Sequence, residues 1–468
     1  MRNVLKSSNG LAQTPVASTG AAPLSQLLFA SAEALAAVEA GRSLTAALSD
    51  VNLSLRSGVQ ALTYYAMRHW GLACAWRDKA INKPLDNPVN QQLLALSLLL
   101  LDVSIQVQDP QVEQSLQHEH LDQAPVYGAH TLVDQTVGAA RMVRTGKKTA
   151  LHDAHAKLMN AVLRRFQRER SQFIADVRDN RLAQFAFPLW WQDKLALQYP
   201  EHDVQIMQAS LTPPQLTLRV NRRRATLDQV LQAFNDGGHS AQAESDWAVV
   251  LRGGGAIERL PGYEQGWWSV QDLGAQSAAP LLPLKQGMRV LDACAAPGGK
   301  TAHLLELANI DLTALDSNPT RLERVKDNLQ RLGLDGPSVK ILAGDVLNSR
   351  AWHTGLPYDA ILADLPCSGS GVVRHHPDIL FLRRQKDLAQ FSQQQALMLD
   401  SLWPLLKPSG YLLYVTCSIF VEEGERQIEK FLSRWPDAMR LNAPGVLLPS
   451  AAYPGRDGFF YALFERQT

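Results

Sequence analysis

The chain has 468 residues, 46% of them apolar and 19% charged, with 46 basic against 45 acidic side chains and a formal net charge of +1. That length predicts two or three domains, and the composition excludes fibrous and disordered chains. A charge near zero excludes neither nucleic acid nor a small substrate, because patches of opposite sign cancel in the sum.

Residues 1–24, rich in Ser, Thr, Ala, Gly and Gln and without periodicity, predict a flexible leader. From 25 to 181 the apolar residues recur at three and four, as in Val59, Leu62, Ala66 and Trp70, which predicts an all-helical domain. Its most apolar block, Leu93 to Leu101, is too short to span a bilayer. No run of signal-peptide length follows Met1, so neither export nor a membrane anchor is expected. The four cysteines, Cys74, Cys294, Cys367 and Cys417, have no CxxC spacing. They point to a cytoplasmic protein without a disulfide framework, and no metal is expected.

Residues 141–170 carry nine Lys or Arg against Asp153 and Glu169. Among them Arg141, Arg144, Lys147, Lys148, Arg164, Arg165 and Arg168 read either as a solvated face or as a phosphate-binding patch of the kind counterion release requires. Residues 182–265 predict a small α+β module, with a strand from Leu216, a helix from Leu227 to Phe234, a turn at Asp236-Gly237-Gly238 and a strand from Trp247 to Leu251. Arg219, Arg222, Arg223 and Arg224 mark the end of its first strand, either as a solubilising end or as a second surface for nucleic-acid backbone. From 266 to 468 short apolar runs alternate with amphipathic helices, which predicts a parallel sheet wound on both faces, a Rossmann-like α/β domain. Ligands of such sheets bind beyond the carboxyl ends of the strands.

The first of those runs leads into Asp292-Ala293-Cys294-Ala295-Ala296-Pro297-Gly298-Gly299-Lys300-Thr301. This is a strand, a turn of small residues and a helix start, where backbone approaches a compact or anionic ligand. A P-loop would need glycine where Cys294 stands. Asp316 ends the next strand near the position of a carboxylate gripping a ribose diol, roughly 20 residues past the glycines, so an adenosine-type cofactor fits. Asp345 and Asp364 end the two strands after it. Each acid singly could cap a helix, but four in succession, Asp292 included, predict a lined cleft. Cys367, in Asp364-Leu365-Pro366-Cys367-Ser368-Gly369, and Cys417, in Thr416-Cys417-Ser418, reach the same cleft, whereas Cys74 reads as a buried small hydrophobe. An adenosine cofactor beside a thiol suits methylation of cytosine at C5, which becomes nucleophilic once a thiolate has added at C6. A second base or thiol is then useful, because the C5 proton must leave.

These motifs resemble those of the S-adenosylmethionine-dependent RNA 5-methylcytosine methyltransferases of the Sun/Fmu (RsmB) group. The resemblance covers most of the chain from about Leu24 to Phe464 and includes Asp457-Gly458-Phe459-Phe460. It implies that Cys417 is the C6 nucleophile and that Cys367 assists product release, an order that spacing does not supply. It also implies that the turn formed by Cys294, Ala295, Ala296, Pro297, Gly298, Gly299 and Lys300 surrounds the methionine part of the cofactor. By the same resemblance Asp316 holds the ribose, Asp345 lies by the adenine, and Asp364 faces the target base and the reacting centre and also borders the cofactor. Lys300 is expected to make a positive contact near substrate or cofactor carboxylate. The N-terminal domain would be a NusB-like RNA-binding fold, the substrate naked or early-assembly 16S rRNA, and the enzyme a monomer. One departure stands out: Glu422-Glu423 is followed by Gly424 where the group usually has Asn, so any hydrogen bond from that Asn is lost.

Three other functions fit less well. Methylation of an exocyclic amine needs Asn or Asp before Pro-Pro and an aromatic, which Asp364-Leu365-Pro366-Cys367 is not. DNA cytosine methylation would use Cys367 and leave Cys417 without a task. An RNA-binding assembly or antitermination factor with a relic catalytic half would need neither cysteine.

Overall fold

The computed structural model describes residues 22–109, 124–143, 149–253, 255–453 and 455–468. The leader expected over 1–24 falls almost wholly outside them, as do Arg144, Lys147 and Lys148. The N-terminal region is helical, with α1 (Leu24–Glu39), α2 (Leu44–Ser49), α3 (Leu53–Arg68), α4 (Trp70–Ala80), α5 (Pro88–Gln108), α6 (Ala129–Met142), α7 (Thr149–Val177) and α8 (Arg181–Phe185). At the start of α5 the Asn87 side chain accepts from Val89 N, and Pro88 occupies a position whose N–H would be unpaired in any case. This helix alone, among the described residues, is long and apolar enough to cross a membrane, yet most of it is buried. Its leucines pack with Leu35, Trp76, Leu132 and Phe166 in one core, as the axis of the helical domain.

Helices α9 (Leu189–Gln198) and α10 (Asp203–Leu211) lead out of that domain, and their Trp191, Ile206 and Met207 pack with Val373, Leu380 and Phe420 of the C-terminal domain. The small module contains β1 (Leu216–Val220), α11 (Leu227–Asp236), β2 (Ser240–Ala243), β3 (Ala248–Arg252) and β4 (Trp268–Val270), in the antiparallel order β2-β3-β1-β4. A reciprocal cap between Thr226 and Gln229 starts α11. The predicted strands and helix are present. The predicted pattern lacks β2, which is short and mostly exposed, and β4, three residues long.

In the C-terminal domain, α12 (Leu273–Gln276) and α13 (Ala278–Leu281) precede β5 (Arg289–Ala293), α14 (Gly299–Leu307), β6 (Asp311–Asp316), α15 (Pro319–Leu332) and β7 (Val339–Ala343). The chain then crosses back to β8 (Tyr358–Asp364), α16 (Ile379–Leu382), α17 (Asp387–Leu402), β9 (Leu406–Thr416), α18 (Glu425–Arg434), β10 (Ala438–Leu447) and β11 (Phe459–Arg466). The sheet order is β10-β11-β9-β8-β5-β6-β7. An all-parallel sheet is therefore corrected to a mixed one: β5 to β9 are parallel, and β11 lies antiparallel between β9 and β10. The return from β10 to β11 is direct and needs no crossover helix, which is why helix–strand alternation does not reveal it.

Alternate strand residues enter different cores, as pleating requires. Val290, Leu312 and Leu413 pack on the face covered by α14 and α15, and Leu291, Leu315 and Leu412 on the face covered by α17 and α18. Strand order reverses between β5 and β8, so the carboxyl ends of β5, β8 and β9 open onto one crevice. The helical domain is tied to this half by Leu44 N, which donates to Asp378 Oδ2 at 2.8 Å, and by the Arg68 guanidinium, which donates to Arg374 O at 2.8 Å.

Candidate active site

The turn after β5 is shaped by backbone. Cys294 holds φ at +65° and Gly298 at +99°, conformations that only glycine adopts without strain. A Cβ on Gly298 would lie 3.1 Å from Val325 Cα, so α15 closes that side of the turn. Ala295 N donates to Leu315 O at 2.9 Å, and Ala296 N to Asp316 Oδ2 at 3.1 Å. The turn is thereby moored to the end of β6 and leads into the first turn of α14, whose N–H groups find no acceptor within the helix itself.

The four strand-end acids have separate fates. Asp292 lies beneath the turn rather than in the crevice: it is buried, and its Oδ2 accepts from Thr301 Oγ1 at 2.6 Å. Burial lifts its pKa to about 7 despite that bond. Asp316 is buried, and its Oδ1 accepts from Asn318 N at 2.9 Å. Asp345 is exposed, and its Oδ1 accepts from Leu347 N at 2.9 Å, so the capping role accounts for one of its oxygens. Asp364 is half-buried and takes the Lys300 ammonium at 2.6 Å. Burial is the largest influence on Lys300 and pushes its pKa down, but the charge and hydrogen bond of Asp364 together with Cys417 and Asp292 outweigh it, and the net shift is upward.

Asp364 and Val415 are paired across β8 and β9, which brings the loops beyond them together. The Cys367 and Cys417 sulfurs are 3.3 Å apart, and Gly371 N donates to Cys417 O at 2.9 Å. A buried acid joins the two loops. Glu423 Oε1 accepts from Ser368 N at 2.9 Å and Gln395 Nε2 at 3.0 Å, and its Oε2 accepts from the hydroxyls of Ser368 and of Ser418, the latter at 2.6 Å. The hydrogen bond with Cys417 and burial push the Cys367 thiol well above the ordinary range, and the nearby Glu423 charge adds to this. Burial likewise pushes the Cys294 thiol up, and Cys74 rises to about 12, as suits packing residues. Sequence reasoning gave Glu423 no role; its one signal was its place as the second of two acids following the apolar Ile419-Phe420-Val421. At Gly424 a Cβ would lie 3.0 Å from the Phe460 ring, so the space next to the backbone is filled by that aromatic.

Comparison with known proteins decides the family. The model of the 16S rRNA methyltransferase RsmB/F family matches residues 279–465, and that of the RsmF/B-like ferredoxin-like domain matches 187–258. Ribosomal RNA small subunit methyltransferase B of Pseudomonas syringae pv. tomato is 36% identical over 461 residues, covering 93% of this chain and 95% of the relative. The chain belongs to the RsmB family of rRNA methyltransferases. The relative of the same name from Pseudomonas putida is 41% identical over 349 residues, 71% of this chain and 77% of that one. The crystal structure of PH0851 shares the fold, with a TM-score of 0.72, 23% identity, and coverage of 94% of this chain and 99% of that one.

An RsmB-family chain is an S-adenosylmethionine-dependent enzyme acting on rRNA, and the crevice suits that cofactor. The moored turn of small residues, the first turn of α14 and the carboxylates at the ends of β6 and β7 are donors and acceptors of the kinds that an amino-acid head and a nucleoside pair with. Of the expected RNA contacts, Arg141, Arg164, Arg165, Arg168, Arg222 and Arg223 are exposed. Arg165 pairs with Glu169 at 2.8 Å, an exposed i,i+4 pair of little energetic weight. Two members of the basic runs are corrected. Arg170 is buried and its Nε donates to Asp102 at 2.6 Å. Arg219 is also buried, and its role lies inside the protein.

Proposed function

We propose that this RsmB-family enzyme methylates C5 of a cytosine in 16S rRNA through a covalent adduct between Cys417 and C6 of the base. The observation that carries this reading is the pair of thiols 3.3 Å apart in the loops that follow β8 and β9. Methylation of a ring carbon needs a nucleophile that adds and later leaves, and methylation of an amine does not. The protonated state of Cys367 supports its partner Cys417 as that nucleophile. Lys300 interacts with Cys417, whereas the hydrogen bond between the two thiols and burial, with the Glu423 charge adding to them, keep the proton on Cys367.

S-adenosylmethionine, when bound, supplies an electrophilic methyl group. Cys417 Sγ as thiolate forms a bond to C6, and the electron pair of the C5–C6 double bond becomes available at C5. Asp364, held by Lys300, stands at the end of β8 to orient the base. After methylation C5 carries both a proton and the methyl group. Release follows: solvent water takes the C5 proton, the electron pair of that C–H bond re-forms the C5–C6 double bond, and Cys417 departs as thiolate, assisted by the protonated Cys367 thiol 3.3 Å away, which hydrogen-bonds the departing sulfur. The turn from Cys294 to Lys300 holds the methionine part of the cofactor, with Asp316 at the ribose and Asp345 at the adenine. The exposed arginines of α6, α7 and the small module contact rRNA phosphates.

The test is to incubate the pure protein with methyl-labelled S-adenosylmethionine and unmodified small-subunit rRNA, then digest to nucleosides. Label in 5-methylcytidine is expected. Label in a methylated amine would overturn the thiol mechanism, and binding of RNA without label would favour an assembly factor.

A further inference from the structure

The end of β1 carries a cation that does not reach solvent. Arg219 is 0% exposed, and its Nε and Nη2 each donate to the Glu306 carboxylate at 2.8 Å. Its Nη1 donates to Gly299 O at 2.8 Å and to Gln271 Oε1. Gly299 opens α14 and Glu306 lies in its last turn. One side chain of the small antiparallel sheet therefore grips both ends of the helix that follows the cofactor turn. The same helix is braced by Arg223 Nε, which donates to Glu306 O at 3.2 Å, and by Trp247, whose ring meets His303 edge-on.

A buried Arg–Glu pair is a weak source of stability, because both ions must be stripped of water. Its geometry is specific, since a planar guanidinium makes a bidentate bond and a third, divergent one at once. That third bond lands one residue after Gly298, where the turn becomes helix. We infer that Arg219 is a positioning residue for the cofactor turn, through which the small module sets the affinity of the catalytic domain for S-adenosylmethionine. This rests on the reading that the turn from Cys294 to Lys300 holds the cofactor.

The test uses the full chain, with S-adenosylhomocysteine binding measured by calorimetry and kcat and KM measured with rRNA. The double variant Arg219→Met with Glu306→Gln removes both buried charges together, so neither is left unpaired. Its Kd for S-adenosylhomocysteine is expected to rise about tenfold, the loss typical of one charge-assisted hydrogen bond. Its kcat at saturating S-adenosylmethionine and its KM for RNA should stay within about twofold. Glu306→Gln alone keeps one acceptor for Arg219 and the bond to Gly299 O, so its Kd should rise less than that of the double variant. An unchanged Kd in the folded double variant overturns the inference, as does an equal change in kcat and in the KM for RNA. If the double variant does not fold, Arg219→Lys keeps the charge opposite Glu306 but lacks the divergent third donor, and the same two outcomes apply. Gly298→Val separates the two readings. If it binds normally, the turn does not hold the cofactor and the role of Arg219 falls with it; if it loses binding while the Arg219 variants keep theirs, only the role of Arg219 is overturned.

Discussion

The sulfurs of Cys367 and Cys417, fifty residues apart in the chain, lie 3.3 Å from each other at the ends of neighbouring strands. The hydrogen bond with Cys417 and burial, and after them the Glu423 charge, hold the proton on Cys367, whereas Cys417 lies near enough to the Lys300 ammonium to act on it. The two thiols are therefore unequal, and their substitutions should fail at different steps. Cys417→Ala should abolish methyl transfer and form no adduct with RNA. Cys367→Ala should accumulate a protein–RNA complex that survives denaturing electrophoresis. Equal partial activity in both variants would remove the assignment.

Glu423 accepts four hydrogen bonds at 0% exposure and joins the two cysteine loops. Glu423→Ala strips partners from the Ser368 N–H, from Gln395 and from two hydroxyls, at about 1–3 kcal/mol for each buried group left unsatisfied. Urea unfolding should show a loss of that order. Glu423→Gln keeps the shape and one acceptor oxygen, so it should lose less stability. In both variants turnover should fall more than S-adenosylhomocysteine affinity, because the acid supports the thiols and not the turn. A fall in affinity matching the fall in turnover would contradict this.

Asp292 links pH to stability. Burial raises its pKa to about 7 from an ordinary 3.8, so the folded protein keeps a proton that the unfolded chain releases above about pH 4. The stability tied to this group is complete below that point and is lost as pH rises through 7. Asp292→Asn carries no such charge. Its stability relative to the parent, from urea midpoints, should therefore rise steadily between pH 4.5 and 7.5. A constant difference across that range would mean that the carboxyl titrates normally.

Arg164, Arg165 and Arg168 are exposed on α7. Replacing all three with Gln should weaken rRNA binding and reduce its salt dependence, by a slope of about 0.7 to 0.9 for each phosphate that is no longer neutralised. Fold and cofactor binding should be unaffected, since none of the three is buried. An unchanged slope would return these residues to a solvated helix face.

Much of the catalytic half is legible because its signals are local. Strands β5 to β9 announce themselves as apolar runs, and the small residues from Ala295 to Gly299 mark a turn wherever they occur. The cysteine motifs likewise sit in contiguous stretches that a family resemblance can match. Legibility falters where a side chain's partner is remote. Arg219 looks like part of a basic strand end, and only the approach of Glu306, 87 residues on, makes it internal. Arg170 reads as one of an exposed basic run until Asp102, 68 residues earlier, accounts for its burial.

By itself the sequence determined strands β5 to β9 and the helices between them, the turn, and the residue types gathered in it and in the cysteine motifs, because backbone propensity and side-chain chemistry are properties of short segments. The tertiary structure alone decided which acids face the crevice and which lie beneath it, how β11 enters antiparallel, and that Glu423 bridges two thiol loops. Burial, charge pairing and hydrogen bonding depend on distances between segments that are far apart in the chain, and those distances exist only once the sheet has formed.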